Sequence, residues 1–135
     1  MSSMISSVLR QRLVAACRTG IGDELRGIIL VAPGDAELLY LRRDLALRGN
    51  QARELRHGID VAGRHDAPSD EHWNETKSGP HPLVVRAENG DRVARFSLGR
   101  YDVVLTAEAV PPGHFADIHP TVATLVEPVA KPAPA

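Results

Sequence analysis

Six histidines are the residues of this chain best suited to metal chemistry. Their spacing does not match a zinc site, because no two of them stand four residues apart on a predicted helix and no cysteine pair accompanies them. A loop could still bring His72 and His81 onto His114. Scattered surface imidazoles are the better interpretation, so we expect neither a metal nor a cofactor.

Nucleophilic chemistry has little support in the sequence. The single cysteine, Cys17, follows Ile5, Leu9 and Leu13 at four-residue intervals, which places it on the apolar stripe of a predicted helix. A thiol buried in this way behaves as a small hydrophobic group. No Gly-x-Ser-x-Gly sequence marks a hydrolase, and Gly20-Ile21-Gly22 lies between a helix and a strand, the reverse of a phosphate loop. We therefore expect no catalytic residue and a non-enzymatic protein.

Arginines are frequent around the second predicted helix. A stripe of arginines could follow a nucleic-acid backbone. However, acidic residues are interspersed among them, and aromatic residues make up only 4% of the chain, which leaves few platforms for base stacking. A solvated or subunit-facing helix is the better interpretation, and nucleic acid is the less favoured partner. The arginines concerned are Arg42, Arg43, Arg48, Arg53, Arg56 and Arg64.

The composition is typical of one globular domain. The chain has 135 residues, of which 43% are hydrophobic and 24% charged. Its net charge of −1 creates no field that would attract nucleic acid or an anionic membrane. A single cysteine excludes an internal disulfide and favours a reducing compartment. We find no apolar span and no signal-peptide pattern, so we expect a cytoplasmic location without membrane contact.

Turn signals predict the strands that position these residues. Asn89-Gly90 and Gly99-Arg100 separate three segments within residues 83–106, as type I′ and type II′ turns do in a three-strand antiparallel meander. Two earlier strands, at 25–31 and 37–41, flank a turn that contains proline and glycine. Because both are nearly continuous apolar runs, helices should cover both faces of the sheet.

Three helical regions complete the predicted elements. The first is capped by Ser6 or Ser7 and ends at Gly20, where glycine can supply a left-handed stop. Pro120 should break or kink the third. The second carries an apolar stripe of Ala52, Leu55, Ile59 and Ala62. The regions cover residues 5–18, 44–62 with an interruption at Gly49-Asn50, and 112–126.

These elements predict a single domain over residues 5–126. A loop at 63–82 is long enough to be a functional flap or disordered, and the Pro/Ala-rich residues 127–135 should form a disordered tail. The order α-β-β-α-β-β-β-α describes an α/β (α+β) sandwich, with a five-stranded, mainly antiparallel sheet and helices on both faces. This order is similar to that of the roadblock/light-chain-7 group and the wider profilin-like folds, a similarity that carries no chemistry.

Two short patches run from Cys17 to Arg26 and from Leu38 to Leu45. Both resemble an uncharacterised family of short haloarchaeal proteins. The Glu88–Gly90 hairpin and the Val104–Thr106 strand fall where that family has an equivalent meander. The resemblance covers most of residues 8–126 and implies a roadblock-like or profilin-like topology, but no activity.

A homodimeric binding or regulatory module is the leading functional hypothesis. The expected strand order, 2-1-5-4-3, leaves the strand at 83–87 on an edge of the sheet, and an open apolar edge is usually paired or covered. Arginines of the second helix, mixed with acidic residues, could pair across a two-fold axis. The candidate interface comprises Leu83, Val84, Val85, Arg53 and Arg56.

Three alternatives remain open. The protein could be a small-ligand sensor in which the loop 63–82 closes as a lid, or a nucleic-acid-associated regulator that acts through the arginine stripe. The third, less favoured, is an enzyme that uses the histidines of this loop. Trp73, within that loop, is a candidate contact site for a partner protein. It either folds back over the core or stays exposed.

Overall fold

An antiparallel sheet of six strands forms the centre of the structure, a computed structural model. The structure describes residues 4–63, 73–74 and 83–130. The strands lie in the order β2-β1-β6-β5-β4-β3. Apart from the two-residue strand β3, this is the predicted five-stranded sheet in the predicted order. The strands are β1 Leu25–Ala32, β2 Asp35–Leu41, β3 Trp73–Asn74, β4 Leu83–Glu88, β5 Asp91–Leu98 and β6 Tyr101–Ala107.

The hairpin turns adopt the conformations that their sequences demand. Asn89 and Gly90, between β4 and β5, both have positive φ angles of 53° and 87°, as a type I′ turn requires. Gly99 opens the next turn with a φ of 65°. Gly34, between β1 and β2, has a φ of 79°. The turn residues therefore set the pairing of the strands that they join.

Helices cover both faces of this sheet, as predicted. On one face, α1 and α4 pack on a large apolar core that includes Phe96 and Phe115. On the other face, α3 packs on β1, β2 and β6 over a smaller core that includes Ile29 and Val104. The helices are α1 Ser7–Ile21, α2 Arg43–Leu47, α3 Gln51–Ala62 and α4 Gly113–Ala130.

The first helix begins as predicted but ends later. Ser6 caps it, since its Oγ accepts a hydrogen bond from the Leu9 backbone N–H at 3.1 Å. The left-handed residue at its end is Gly22, with a φ of 87°, and not Gly20. Gly20 lies within the helix, where a Cβ atom would collide with the side chain of Ile118. Its small size therefore serves the close approach of α1 and α4.

The last helix is longer than predicted. It continues through Pro120 and Pro128 as far as Ala130, so residues 127–130 belong to the domain and not to a tail. Apolar burial maintains the helix although each proline removes a backbone N–H, because Val122 and Val126 lie fully in the core. The carbonyl of Ala130 also accepts a hydrogen bond from the Arg100 N–H at 3.2 Å. Residues 131–135 lie outside the described residues.

Only one of the first two strands is buried on both faces. Ile28, Ile29 and Leu30 of β1 have no solvent exposure, as predicted. In β2 only Leu39 is buried, because this strand lies at an edge of the sheet and has a single neighbour. The Arg10 guanidinium donates a hydrogen bond to the Leu39 carbonyl at 3.2 Å. A side chain of α1 thus satisfies part of that edge.

Candidate functional site

A charged cleft lies between α3 and the β4–β5 hairpin. Its volume is about 430 Å³, within the range of sites for small molecules. We call it the α3–hairpin cleft. Polar and charged side chains make up nearly all of its lining. They are Arg26, Asn50, Arg53, Glu54, Arg56, His57, Asp60, Glu88, Asn89, Asp91, Arg92 and Thr106, with Val93 as the one apolar residue.

The position of α3 follows from a glycine at its contact with the sheet. A Cβ atom on Gly58 would lie 2.7 to 2.8 Å from the side-chain carbons of Ile29, so only glycine allows this approach. One turn further on, Val61 and Ala62 are buried on the same face. This end of α3 therefore fixes the helix, and its first turns form one wall of the cleft.

The predicted apolar stripe of this helix is confirmed at Ala62, which is buried, and is wrong at Ala52 and Ile59, which are exposed. The buried residues of α3 are Glu54, Gly58, Val61 and Ala62, whereas Ile59 is 44% exposed. Ala52 is exposed as well, and Leu55 is half-buried. The missed signal is the helical spacing of Glu54, Gly58 and Val61, which lie four and three residues apart. A charged residue and a glycine hide such a stripe from a search for apolar residues.

Glu54 is the most deeply placed charged group of the cleft. It is 7% exposed, although it carries a carboxylate. Thr106 of β6 donates a hydrogen bond to its Oε2 at 2.9 Å. Gly27 of β1 makes room for this carboxylate, since a Cβ atom there would lie 3.0 Å from the same oxygen. Among the described residues, no cationic side chain forms a salt bridge with Glu54.

Two ion pairs hold other charged groups of the cleft in place. Arg26 donates to the Asp91 carboxylate at 2.8 Å and thereby joins β1 to the β4–β5 hairpin. His57 Nε2 lies 3.1 Å from Glu88 Oε1, a contact that joins α3 to the same hairpin. Both pairs are partly exposed, so each contributes modestly to stability. Their main effect is to fix the positions of these four charged side chains relative to one another.

Arg53 and Arg56 lie on the outer side of α3 and also line the cleft. Both are exposed, and within residues 4–63 and 83–130 neither has a hydrogen bond or ion pair. Three residues apart on a helix, they lie on one face. The structure therefore places two guanidinium groups beside the cleft that have no partner among the described residues.

The other predicted interface residues are placed differently. Leu83 and Val85 are buried with exposures of 0% and 1%, so their side chains belong to the core of the single chain. Val84 is half-buried. Trp73 and Asn74 pair with Val85 and Val84, so the edge of β4 is not open at these positions, contrary to our expectation.

The predicted stripe of six arginines is not uniform over the part of the chain that the structure describes. Arg42 donates hydrogen bonds to the Asp44 carboxylate at 2.7 and 3.2 Å and to the Glu108 carboxylate at 3.1 Å. It also donates to the Asp23 carbonyl at 3.1 Å. The hydrogen bond from Arg42 lowers the pKa of Asp44. Arg42 thus has a structural role at the ends of β2 and β6, and Arg64 lies outside the described residues.

Among the described histidines, none belongs to a group that could hold a metal ion. His114 and Asp117 are exposed on α4. His119 stacks on Phe96 with the ring centroids 5.8 Å apart. Residues His65, His72 and His81 lie outside the part of the chain that the structure describes, so the three-histidine arrangement remains a hypothesis.

Cys17 is fully buried in the core between α1 and the sheet, as its position on the apolar stripe predicts. Burial raises the pKa of its thiol to about 12, because the thiolate would lose its hydration. At neutral pH the thiol therefore stays protonated. The thiol is structural.

We expect a thiol reagent to label Cys17 only when the protein unfolds. The pKa in the unfolded chain is near its ordinary value of 9.0, so the folded protein holds the proton more tightly. The stability that results is constant below about pH 9 and falls as the pH rises toward 12. The rate of thiol labelling, measured with and without denaturant, checks the first expectation. The pH dependence of the free energy of unfolding, measured for the wild-type protein and for Cys17→Ala, checks the second. Rapid labelling of the native protein would contradict it.

Comparisons with known proteins define the relationship of the chain without assigning it an activity. Within the described residues, no helix combines the length and the apolar character needed to cross a membrane. No curated protein matches the sequence. One family model, described as a domain of unknown function (DUF7522), matches residues 11–126, which extend from within α1 to within α4. The chain therefore belongs to the DUF7522 family.

Proposed function

We propose that this protein is a non-enzymatic binding module that holds a small charged molecule in the α3–hairpin cleft. The observation that carries the proposal is the cleft itself, about 430 Å³ in volume and lined by charged groups of both signs. Some of these groups form ion pairs within the protein, whereas Arg53 and Arg56 form none with the described residues. Convergent polar and charged groups in a concave site fix the orientation of a bound ligand and give the site its specificity.

The lining residues favour binding over catalysis. Thr106 carries the one hydroxyl group among them, and cysteine and lysine do not occur there. Thr106 is 4% exposed and lies on the central strand β6 beneath Glu54, so a substrate atom could not approach its oxygen. A nucleophile must reach its substrate. The described part of the cleft thus offers charged recognition groups and no hydroxyl, thiol or amine that a substrate could reach.

This proposal selects the small-ligand alternative among the sequence-based hypotheses. The strand order supports a roadblock-like or profilin-like sandwich as the finer description of the fold. The lid function of the loop stays a prediction, since residues 64–72 and 75–82 lie outside the described residues.

Homodimerisation also stays a prediction. The pairing of Trp73 and Asn74 with β4 weakens the argument for an open edge there. Light scattering at tens of micromolar distinguishes a mass near 14.6 kDa from twice that value.

Chemical-shift perturbation tests the binding function directly. We expect at least one small charged probe, among sodium phosphate, sodium propionate, ethylamine and glycine, to shift the backbone amides of Arg53, His57 and Asp91 in a saturable way. Amides of Thr19 and Thr121, which line a separate shallow groove between α1 and α4, serve as the control. Equal shifts in both regions, or no saturable shift for any probe, would contradict the proposal.

A further inference from the structure

We propose that the α3–hairpin cleft binds a zwitterion, a small molecule whose cationic group pairs with Glu54 and whose acidic group pairs with Arg53 and Arg56. This inference rests on the proposed binding function and names the class of its ligand. The cationic group is an ammonium or guanidinium, and the acidic group is a carboxylate or a phosphate.

The first step of the argument is the missing counter-charge of Glu54. Glu54 is only 7% exposed, yet the one hydrogen-bond partner of its carboxylate among the described residues is the neutral Thr106 hydroxyl. Burying a carboxylate without a cation is costly, so buried acids are normally paired. An ammonium group that enters the cleft would supply the absent partner.

The other cationic side chains that line the cleft near α3 and the hairpin form hydrogen bonds with partners other than Glu54. Arg26 is bonded to Asp91 at 2.8 Å, and the Arg92 Nε–H donates to the Val110 carbonyl at 3.2 Å. His57 contacts Glu88 at 3.1 Å. In the described structure none of these side chains forms a hydrogen bond or an ion pair with Glu54. The geometry thus keeps the carboxylate available to a ligand.

The second step concerns the two guanidinium groups of α3. Arg53 and Arg56 are one helical turn apart, exposed and without a partner in the described structure. Two adjacent guanidinium groups are well suited to a carboxylate or phosphate, because each presents a planar set of donors. They lie beside the cleft, whereas Glu54 lies at its base. The ligand would therefore enter with its cationic group first.

The balance of charges in the cleft also favours a zwitterion. Four arginines and four acidic residues line it, so a ligand of no net charge leaves this balance unchanged. A simple anion would pair with the arginines but would leave Glu54 buried without a counter-charge. A simple cation would pair with Glu54 but would be repelled by the two arginines.

Matched probes test this inference by calorimetry and chemical-shift perturbation. The zwitterions are glycine, γ-aminobutyrate and O-phosphoethanolamine, and the single-charge probes are ethylamine, propionate and inorganic phosphate. We expect at least one zwitterion to bind at least tenfold more tightly than either single-charge probe. A carboxylate or phosphate preference among the zwitterions identifies the acidic group.

Substitutions identify the residues responsible. We expect Glu54→Gln to weaken zwitterion binding at least tenfold and to leave the affinity for inorganic phosphate or propionate unchanged. Arg53→Gln combined with Arg56→Gln should weaken the binding of every probe that carries an acidic group, both the zwitterions and the simple anions. The exposed residues Glu127 and Arg12 provide matched controls, Glu127→Gln and Arg12→Gln, which should not change binding.

Thermal unfolding of ligand-free Glu54→Gln separates a ligand-binding role from a structural one. We expect an unchanged or higher midpoint, because the variant removes a buried charge that has no counter-charge. A lower midpoint together with unchanged zwitterion affinity would overturn the inference. Binding of single anions at the cleft with no gain for zwitterions would also overturn it, while leaving the proposed binding function intact. If no probe of any class binds, the binding function itself fails.

Discussion

Replacement of Gly58 by alanine is expected to lower the free energy of unfolding by about 2 kcal/mol. The new Cβ atom would lie 2.7 Å from the Ile29 side chain, whose atoms cannot move aside because Ile29 is fully buried and branched at its own Cβ. Helix propensity alone predicts the opposite sign, since alanine stabilises a helix by about 1 kcal/mol relative to glycine. The direction of the change therefore decides between the two effects.

Gly63→Ala is the matched control for this prediction. Gly63 follows the last residue of the same helix in a right-handed conformation, and a Cβ atom there would meet its nearest neighbour, the Ile59 carbonyl oxygen, at an ordinary 3.5 Å. Denaturant unfolding of both variants measures the difference. Because α3 forms a wall of the cleft, Gly58→Ala should also weaken the binding of any cleft ligand. A Gly58→Ala variant as stable as Gly63→Ala would mean that α3 lies further from the sheet.

Replacement of Gly20 by alanine is also expected to destabilise the protein by about 2 kcal/mol. A Cβ atom at this position would overlap with the Cγ2 methyl group of Ile118, where α1 and α4 cross. The nearby Gly22 differs, because its φ of 87° makes backbone strain the reason for glycine there. At Gly20 the reason is space.

A double-mutant cycle isolates this contact. Ile118→Leu removes the branch at Cβ that carries the Cγ2 methyl group, so it should recover roughly 1 kcal/mol of the loss caused by Gly20→Ala. Equilibrium unfolding of the single and double variants supplies the four free energies. Additive effects of the two substitutions, or stabilisation by Gly20→Ala alone, would show that the two helices are not in close contact.

The predictable parts of the fold depend on local chemistry. Asn89 and Gly90 specify a turn through their own backbone preferences, and Ser6 specifies a helix start through its own hydroxyl. These features need no knowledge of distant residues. The same holds for the continuous apolar run of β1, which predicts burial on both faces.

The wrong predictions involve residues whose role depends on distant parts of the chain. Gly20 resembles a helix stop in sequence, and only the position of Ile118, 98 residues later, assigns it to a helix contact. Pro120 resembles a helix breaker, but the apolar face of α4 outweighs it. In both cases tertiary packing overrides a local preference.

The candidate site was hidden from sequence analysis for the same reason. Glu54 and Thr106 are 52 residues apart, and nothing local marks either of them as a partner of the other. The arginines of α3 are visible in the sequence, but their neighbours on the β4–β5 hairpin are not. The sheet order brings these groups together, but their alignment also depends on which face of α3 is buried.

Titration of the ¹⁵N-labelled protein with γ-aminobutyrate and O-phosphoethanolamine tests the central claim most directly. The account predicts saturable shifts of the amides around Glu54, Arg56 and His57 for at least one of these zwitterions, with the amides of Thr19 and Thr121 unchanged. It also predicts that the Glu54→Gln variant weakens this binding at least tenfold. Shifts that are absent, or that are identical in the wild-type and Glu54→Gln proteins, would contradict the claim that Glu54 and the α3–hairpin cleft bind such a ligand.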